Sequence, residues 1–240
     1  IWRSSGALRP AGRSRLFRTV ARLFDILGPT MVGPSSSHTA GACRLGLLAQ
    51  AILGGTPERA RIGLHGSFAM TGEGHGTKRA IVGGLLGFQP DDPRLRDSFA
   101  EAGEAGLECA FEAIDLGEDA HPNSARLEVW LGAERTRIVG SSIGGGRVRL
   151  DRIDGLDVRV TGSLPTLVVL ADDVPGTIAL ISGMLADRGL NLATMRVDRT
   201  GRGERALMTI EADHEIPEAL VADLGEQDWV HWVRRISAWA

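Results

Sequence analysis

From residue 166 onward the chain alternates between two hydrophobic periods in an order that few folds accept. Thr166 to Ala171 is an unbroken apolar run of strand length, and Gly176 to Arg188 carries apolar residues at helical spacing, with Ile178, Ile181 and Leu185 expected to face inward. Asn191 to Val197 and Arg205 to Glu211 read as strands joined by a polar turn at Gly201 to Glu204. Pro217 to Leu224 reads as a helix with proline near its first turn, where the missing N–H costs nothing, and Trp229 to Ile236 as a last strand. The order βαββαβ predicts a ferredoxin-like sandwich. That fold alone assigns no function.

Upstream, Gly162, Ser163 and Pro165 mark a boundary, so that residues 19–162 and 163–240 are expected to form separate domains. In the first, Val20, Leu23 and Phe24 are helically spaced before Gly28, Pro29, Gly33 and Pro34 break the pattern. A helix is predicted from Thr39 to Leu53, with Leu45, Leu48 and Ile52 on one face and three serines before it able to cap it. Further helices are predicted at Thr77 to Leu86 and Phe99 to Ala105. Strands are predicted at Arg61 to His65, Glu108 to Ile114, Arg126 to Leu131, Arg135 to Val139, Arg147 to Ile153 and Asp157 to Val160. The class is α+β, with a mostly antiparallel sheet in the first domain. Residues 1–18 are arginine-rich and acid-free, and are expected to be a disordered extension. They show no amphipathic stripe, and Pro10 and Gly12 interrupt them, which argues against a targeting peptide.

Composition narrows the function classes. Lys plus Arg number 27 against 30 for Asp plus Glu, so no phosphate-neutralising excess points to a nucleic-acid partner. No apolar run reaches the ~18 residues of a membrane span. Cys43 and Cys109 lie too far apart for a Cys-x-x-Cys pair, and two cysteines cannot supply four ligands. No metal site is expected in this chain, and any iron-sulfur cluster must come from a partner. Both cysteines are expected to be buried free thiols in a reducing, cytoplasmic compartment.

Two segments present polar groups at helix starts. Gly33-Pro34-Ser35-Ser36-Ser37-His38-Thr39-Ala40-Gly41 delivers four hydroxyls and an imidazole to a helix N-terminus, where free N–H groups attract a carboxylate or phosphate. A single serine there is explained by capping, but three in a row with a histidine are not. Gly66 to Lys78 contains His75, Gly76 and Thr77 just ahead of the next helix, in an order that does not match a phosphate-binding P-loop. A histidine so placed can act as general acid or base toward a bound anion. His121-Pro122-Asn123 is a turn whose side chains either bind a ligand or satisfy the turn itself. Ser141 to Gly146 is expected to let the chain pass close to another backbone or to a ligand. His65, His214 and His231 lie in or beside strands and are read as structural.

Together, Gly33 to Gly41, Gly66 to Thr77, His121 to Asn123 and Ser142 to Gly146 resemble the β subunit of the iron-sulfur-dependent bacterial L-serine dehydratase, or L-serine ammonia-lyase. The likeness spans about residues 20–237. The C-terminal unit, with Pro175-Gly176 before its first helix and Gly189-Leu190-Asn191 after it, looks like an ACT domain. The resemblance implies an N-terminal α/β substrate-binding-like domain, similar to the allosteric substrate-binding domain of some phosphoglycerate dehydrogenases, followed by the ACT domain. It implies loss of water from L-serine to give pyruvate and ammonia. It also implies a partner α subunit whose 4Fe-4S cluster acts as Lewis acid on the substrate hydroxyl. Carried onto this chain, Ser35, Ser36, Ser37, Thr39, Gly76 and Thr77 would bind substrate, and His38 or His75 would transfer a proton, His75 being the first choice. His121 and Asn123 would form a regulatory serine site, and Gly176 and Asn191 belong to a possible ACT ligand site. A homodimer through the ACT or β domains is a further implication.

Two rivals remain open at this level. A non-enzymatic amino-acid sensor would have the same two ligand-binding domains and no cluster-bearing partner. A Ser-His hydrolase is disfavoured, because adjacent serines at a helix start suit anion binding better than one activated nucleophile, and no orienting acid is apparent.

Overall fold

The computed structural model describes residues 30–72 and 74–239. The predicted extension and the helical spacing at Val20, Leu23 and Phe24 lie outside those residues. The first helical segment among the described residues is a π-helical turn, Ser36–Gly41, that runs directly into helix α1, Ala42–Leu53. Strand β1 is Arg59–Leu64, and after it come α2 (Gly66–Thr71), α3 (Thr77–Leu85), a 3-10 turn (Pro93–Asp97) and α4 (Ser98–Glu104). Strands β2 (Glu108–Ala113), β3 (Ser124–Leu131), β4 (Glu134–Gly144), β5 (Arg147–Ile153) and β6 (Leu156–Val160) follow.

These strands form one sheet in the order β2-β1-β3-β4-β5-β6, antiparallel except for the parallel pair β1–β2. A parallel pair needs a long crossover, and α2, α3 and α4 provide it. Helix α1 lies against β3, β4 and β5, and α3 lies against α1. The opposite face is charged: Arg126 pairs with Glu112 at 2.9 Å, and Arg61 and Arg135 both pair with Glu128.

The contact between α1 and α3 is made backbone to backbone. A Cβ on Gly84 would collide with the Cys43 carbonyl, and a Cβ on Gly46 with the Ile81 carbonyl. Around this crossing Leu45, Leu48, Ile52, Ile81 and Leu85 are fully or almost fully buried.

The second unit has β7 (Thr166–Asp172), α5 (Thr177–Ala186), β8 (Leu192–Arg199), β9 (Arg205–Ala212), α6 (Glu218–Gly225) and β10 (Val230–Ile236). Its sheet is fully antiparallel in the order β10-β7-β9-β8, the ferredoxin-like arrangement predicted above. One face, through Leu167, Val169, Met208 and Ile210, packs with Ile181 and Leu185 of α5 and Leu220 and Leu224 of α6. The other face, through Val168, Leu207 and Ile236, joins the core of the first domain. That explains why β7 is apolar at nearly every position: a strand covered on both sides cannot alternate. Ile178, expected inward, is 48% exposed. It stands in the first turn of α5 and borders a cavity with Val174 and Val197.

The domains are also joined by charge. Arg234 of β10 donates from Nε to the Ile52 carbonyl and from Nη2 to the Leu53 carbonyl, both at 3.1 Å, closing the C-terminal end of α1 where carbonyls lack helical partners. Gly84→Ala is expected to lower stability by about 1–3 kcal/mol, because the added methyl meets backbone that has no rotamer to yield. An unchanged urea midpoint would show that the crossing tolerates separation.

Candidate functional site

The π-helical turn and the start of α3 are brought side by side, and His38 and His75 meet with ring centroids 5.1 Å apart. Ser35 caps the turn: its hydroxyl accepts from the His38 N–H at 3.2 Å and lies 3.4 Å from His38 Nδ1. On the other side of the ring, His38 Nε2 lies 3.3 Å from Ser67 Oγ and 3.1 Å from Thr71 Oγ1. Thr71 spends its one proton on the Ser67 carbonyl at 2.8 Å, so toward His38 it can only accept. The network therefore places the His38 proton on Nε2 and leaves Nδ1 to accept from Ser35. Phe68 packs edge-on against the same ring at 5.2 Å. Burial, and next the charge of His75, hold the His38 pKa below the ordinary histidine value.

His75 is exposed and held differently. Its Nδ1 lies 3.2 Å from the Thr71 carbonyl, which can only accept, so Nδ1 carries the proton and the Nε2 lone pair is uncommitted. The hydroxyls of Ser36 and Ser37, half-buried on the turn, make no hydrogen bond among the described residues. Those of Thr39 and Thr77 are buried without a partner. Thr39, His75 and Gly76, with Arg79 and Arg96, line a cavity of about 240 Å3. Gly76 precedes α3 with φ 73° and offers the helix no side-chain cap.

The histidine of the His121 to Asn123 turn faces a second cavity, of about 400 Å3, between the two domains. Ser124, Ser141, Arg149 and Asp151 line it from the first domain and Arg196 from the second. His121 Nδ1 accepts from the Asn123 N–H at 3.1 Å. Burial, followed by the Arg149 charge, lowers its pKa. Ser124 Oγ, Ser141 Oγ and Asp151 form a chain of hydrogen bonds at 2.8 and 3.1 Å along the cavity wall. The turn's other side touches the histidine cluster. Pro122 O accepts from Phe68 N at 3.4 Å and lies against Gly66, whose φ of 55° and lack of Cβ permit the approach. Asn123 O accepts from Ser142 N, and Ser142 sits against Gly41, the close passage expected of that glycine-rich segment. Asn123 Oδ1 is buried without a partner.

Gly176 and Asn191 are not brought together within this chain. They flank opposite ends of α5, a helix whose rise spans about 15 Å. Gly176 borders a cavity with Arg199 and Arg202, whereas Asn191 donates to Asp213 at 2.6 Å. The sequence reading gave no role to Ser67 and Thr71, which hold His38. They stand four residues apart on α2, a helix of six residues that is too short to show a period in the sequence.

Residues 20–153 match the family described as serine dehydratase beta chain, and residues 165–227 match the ACT domain. The chain belongs to the serine dehydratase β-chain family. It is 39% identical over 215 residues to a probable L-serine dehydratase beta chain of Bacillus subtilis, covering 90% of this chain and 97% of that one. It is 38% identical over 198 residues to the L-serine dehydratase beta chain of Peptoniphilus asaccharolyticus, covering 82% and 89%. A D-3-phosphoglycerate dehydrogenase of Methanocaldococcus jannaschii is 28% identical over 109 residues, 45% of this chain and 21% of that enzyme.

The serine dehydratase family resemblance brings with it an iron-sulfur cluster, and the described residues do not fit one. No group of three or more His, Cys, Asp or Glu is placed to hold a metal ion among them. Both cysteines are free thiols. Cys43 is buried, donates to the Phe88 carbonyl, and burial pushes it up to about 12. Cys109 is half-buried rather than buried as expected, and desolvation pushes it up to about 11. Neither is poised to become a thiolate ligand. Among the described residues no helix is long and apolar enough to cross a membrane.

The depressed His38 pKa has a sign that can be checked. Between that value and about 6.5 the unfolded chain binds the proton and the folded chain does not, so stability should fall as pH drops through this window. NMR titration should give a His38 midpoint below 6.5, with the neutral ring protonated on Nε2. A midpoint at or above 6.5 would contradict the network.

Proposed function

We propose that this chain is the β subunit of an L-serine ammonia-lyase and forms one wall of a site completed by an α subunit carrying a 4Fe-4S cluster. The observation that carries the reading is His75: its Nδ1–H is fixed by a carbonyl, its Nε2 lone pair is open, and Thr39, whose hydroxyl has no partner, lines the same cavity. β-Elimination removes the Cα proton and the β-hydroxyl of serine, and the resulting aminoacrylate becomes pyruvate and ammonia. His75 Nε2 is the atom on this chain suited to move a proton. His38 orients the wall, since both of its ring nitrogens are engaged. Ser35 supports His38, which leaves Ser36, Ser37, Thr39, Thr77 and the backbone at Gly76 to meet substrate. In this reading the cluster is the partner subunit's, and the residues of this chain hold and orient the substrate beside it.

The cavity holding His121 supports a regulatory amino-acid site, because it draws on both domains and its turn abuts Phe68, the residue packed on His38. We assign the domain division to Gly162, the effector site to His121 and Asn123, and self-association to the ACT sheet edge at β8, beside the exposed Ile178 and Val197.

Co-expression with a cysteine-bearing α subunit, followed by anaerobic assay, should release pyruvate from L-serine only when both chains are present. No pyruvate despite an intact cluster absorbance would sink the lyase reading and favour the amino-acid sensor. In the active complex His75→Ala should lower kcat by about 100-fold or more, the scale of general acid–base catalysis; retention within a few-fold would remove His75 from proton transfer. His121→Ala should abolish cooperativity toward L-serine, and an unchanged Hill coefficient would remove the effector site.

A further inference from the structure

The cavity beside His75 carries two cations that the histidine chemistry does not use. At about 240 Å3 it equals about eight liquid-water volumes, which suits a small polar molecule and not a nucleotide. Arg79 enters it from the first turn of α3 and Arg96 from the 3-10 turn, with Arg79 Nη1 3.5 Å from the Arg96 carbonyl. Neither guanidinium forms an ion pair among the described residues. Arg94, on the same 3-10 turn, shows the contrast: its fork closes on Asp92, with Nη2 to Oδ2 at 2.6 Å. Arg94 is neutralised by Asp92, whereas Arg79 and Arg96 have no carboxylate partner among the described residues.

The cavity also contains Thr39, only 4% exposed, whose Oγ1 has no partner. A buried hydroxyl without a hydrogen bond costs stability that a ligand recovers. Two guanidinium groups that form no ion pair among the described residues, with a hydroxyl beside them, complement a carboxylate, which accepts planar, charge-assisted hydrogen bonds along both oxygens. Val32, Ala80 and Leu95 add an apolar side to the lining.

We propose that this cavity is the carboxylate subsite of the composite active site, with Arg79 and Arg96 clamping the carboxylate of an α-amino acid and Thr39 donating to it. The inference rests on the lyase reading above and adds the residues that select an amino acid by its carboxylate end. With that end fixed, Cα comes to lie beside His75, and the β-hydroxyl is directed out of this chain toward the partner subunit.

The test is a double variant, Arg79→Gln with Arg96→Gln, in the reconstituted αβ complex. Both side chains are exposed, so the fold should be retained. KM for L-serine should rise about tenfold or more, with the larger part of the loss in KM and not in kcat. A KM within twofold of wild type in an active complex would overturn the subsite and leave the lyase reading standing. Should the wild-type complex release no pyruvate, the lyase reading fails and NMR of the full chain decides the subsite. L-serine should then move the His75 ring resonances in the wild type and not in the double variant. No movement in the wild type, an equal response in the variant, or a stronger response to inorganic phosphate than to L-serine would overturn it.

Discussion

The close crossing of α1 and α3 is the contact on which the site depends. Gly46 and Gly84 let the two helices meet through their backbones, and the buried side chains around them hold the pair at that separation. Each helix begins where a polar segment ends, the serine-rich turn at α1 and the glycine-rich loop at α3. Fixing the crossing therefore fixes the two segments against each other. The 5.1 Å between the His38 and His75 rings follows from backbone packing among residues that take no part in chemistry.

α1 also ties the site to the second domain. Its first turn grows out of the segment bearing His38, and its last carbonyls are held by Arg234 from the ACT sheet. The same sheet inserts Val168, Leu207 and Ile236 into the first domain's core. A second connection runs through the His121 to Asn123 turn, which faces the interdomain cavity on one side and abuts Gly66, Phe68 and Ser142 on the other. The histidine cluster is thus joined to the domain interface twice, once along α1 and once through the His121 to Asn123 turn.

Polar accounting sets the same region apart. Thr39, Thr77, Asn123 and Ser142 each bury an oxygen without a partner, and all four lie on or beside the segments that form the histidine cluster. Each such group costs about 1–3 kcal/mol if left unsatisfied. Other buried hydroxyls, such as those of Ser98, Ser124 and Thr166, are hydrogen-bonded, and the remaining orphaned atoms, Arg44 Nε and Trp239 Nε1, lie on residues that line a separate cavity.

Much of the architecture was legible from residue order. The βαββαβ unit, the antiparallel strands of the first domain and the helical segments opening at Ser35 and Gly76 follow from period, turn residues and capping, which are local properties, although the first turn begins at Ser36 and not at Thr39. The histidine-bearing segments could be named because serine, glycine and histidine at a helix start have few other uses. The sequence could not show that Ile178 would stay exposed, that α2 exists, or that Ser67 and Thr71 hold His38. It likewise left open that Asn191 would be drawn to Asp213 and away from Gly176, and that Arg79 and Arg96 would share one cavity. These depend on which surfaces meet across dozens of residues, and a contact between distant residues has no period. The sequence by itself determined the elements and the chemistry each could carry. Only the tertiary structure decided which groups face one another, because tautomer, orphaned hydroxyl and unpaired charge are properties of neighbours in space.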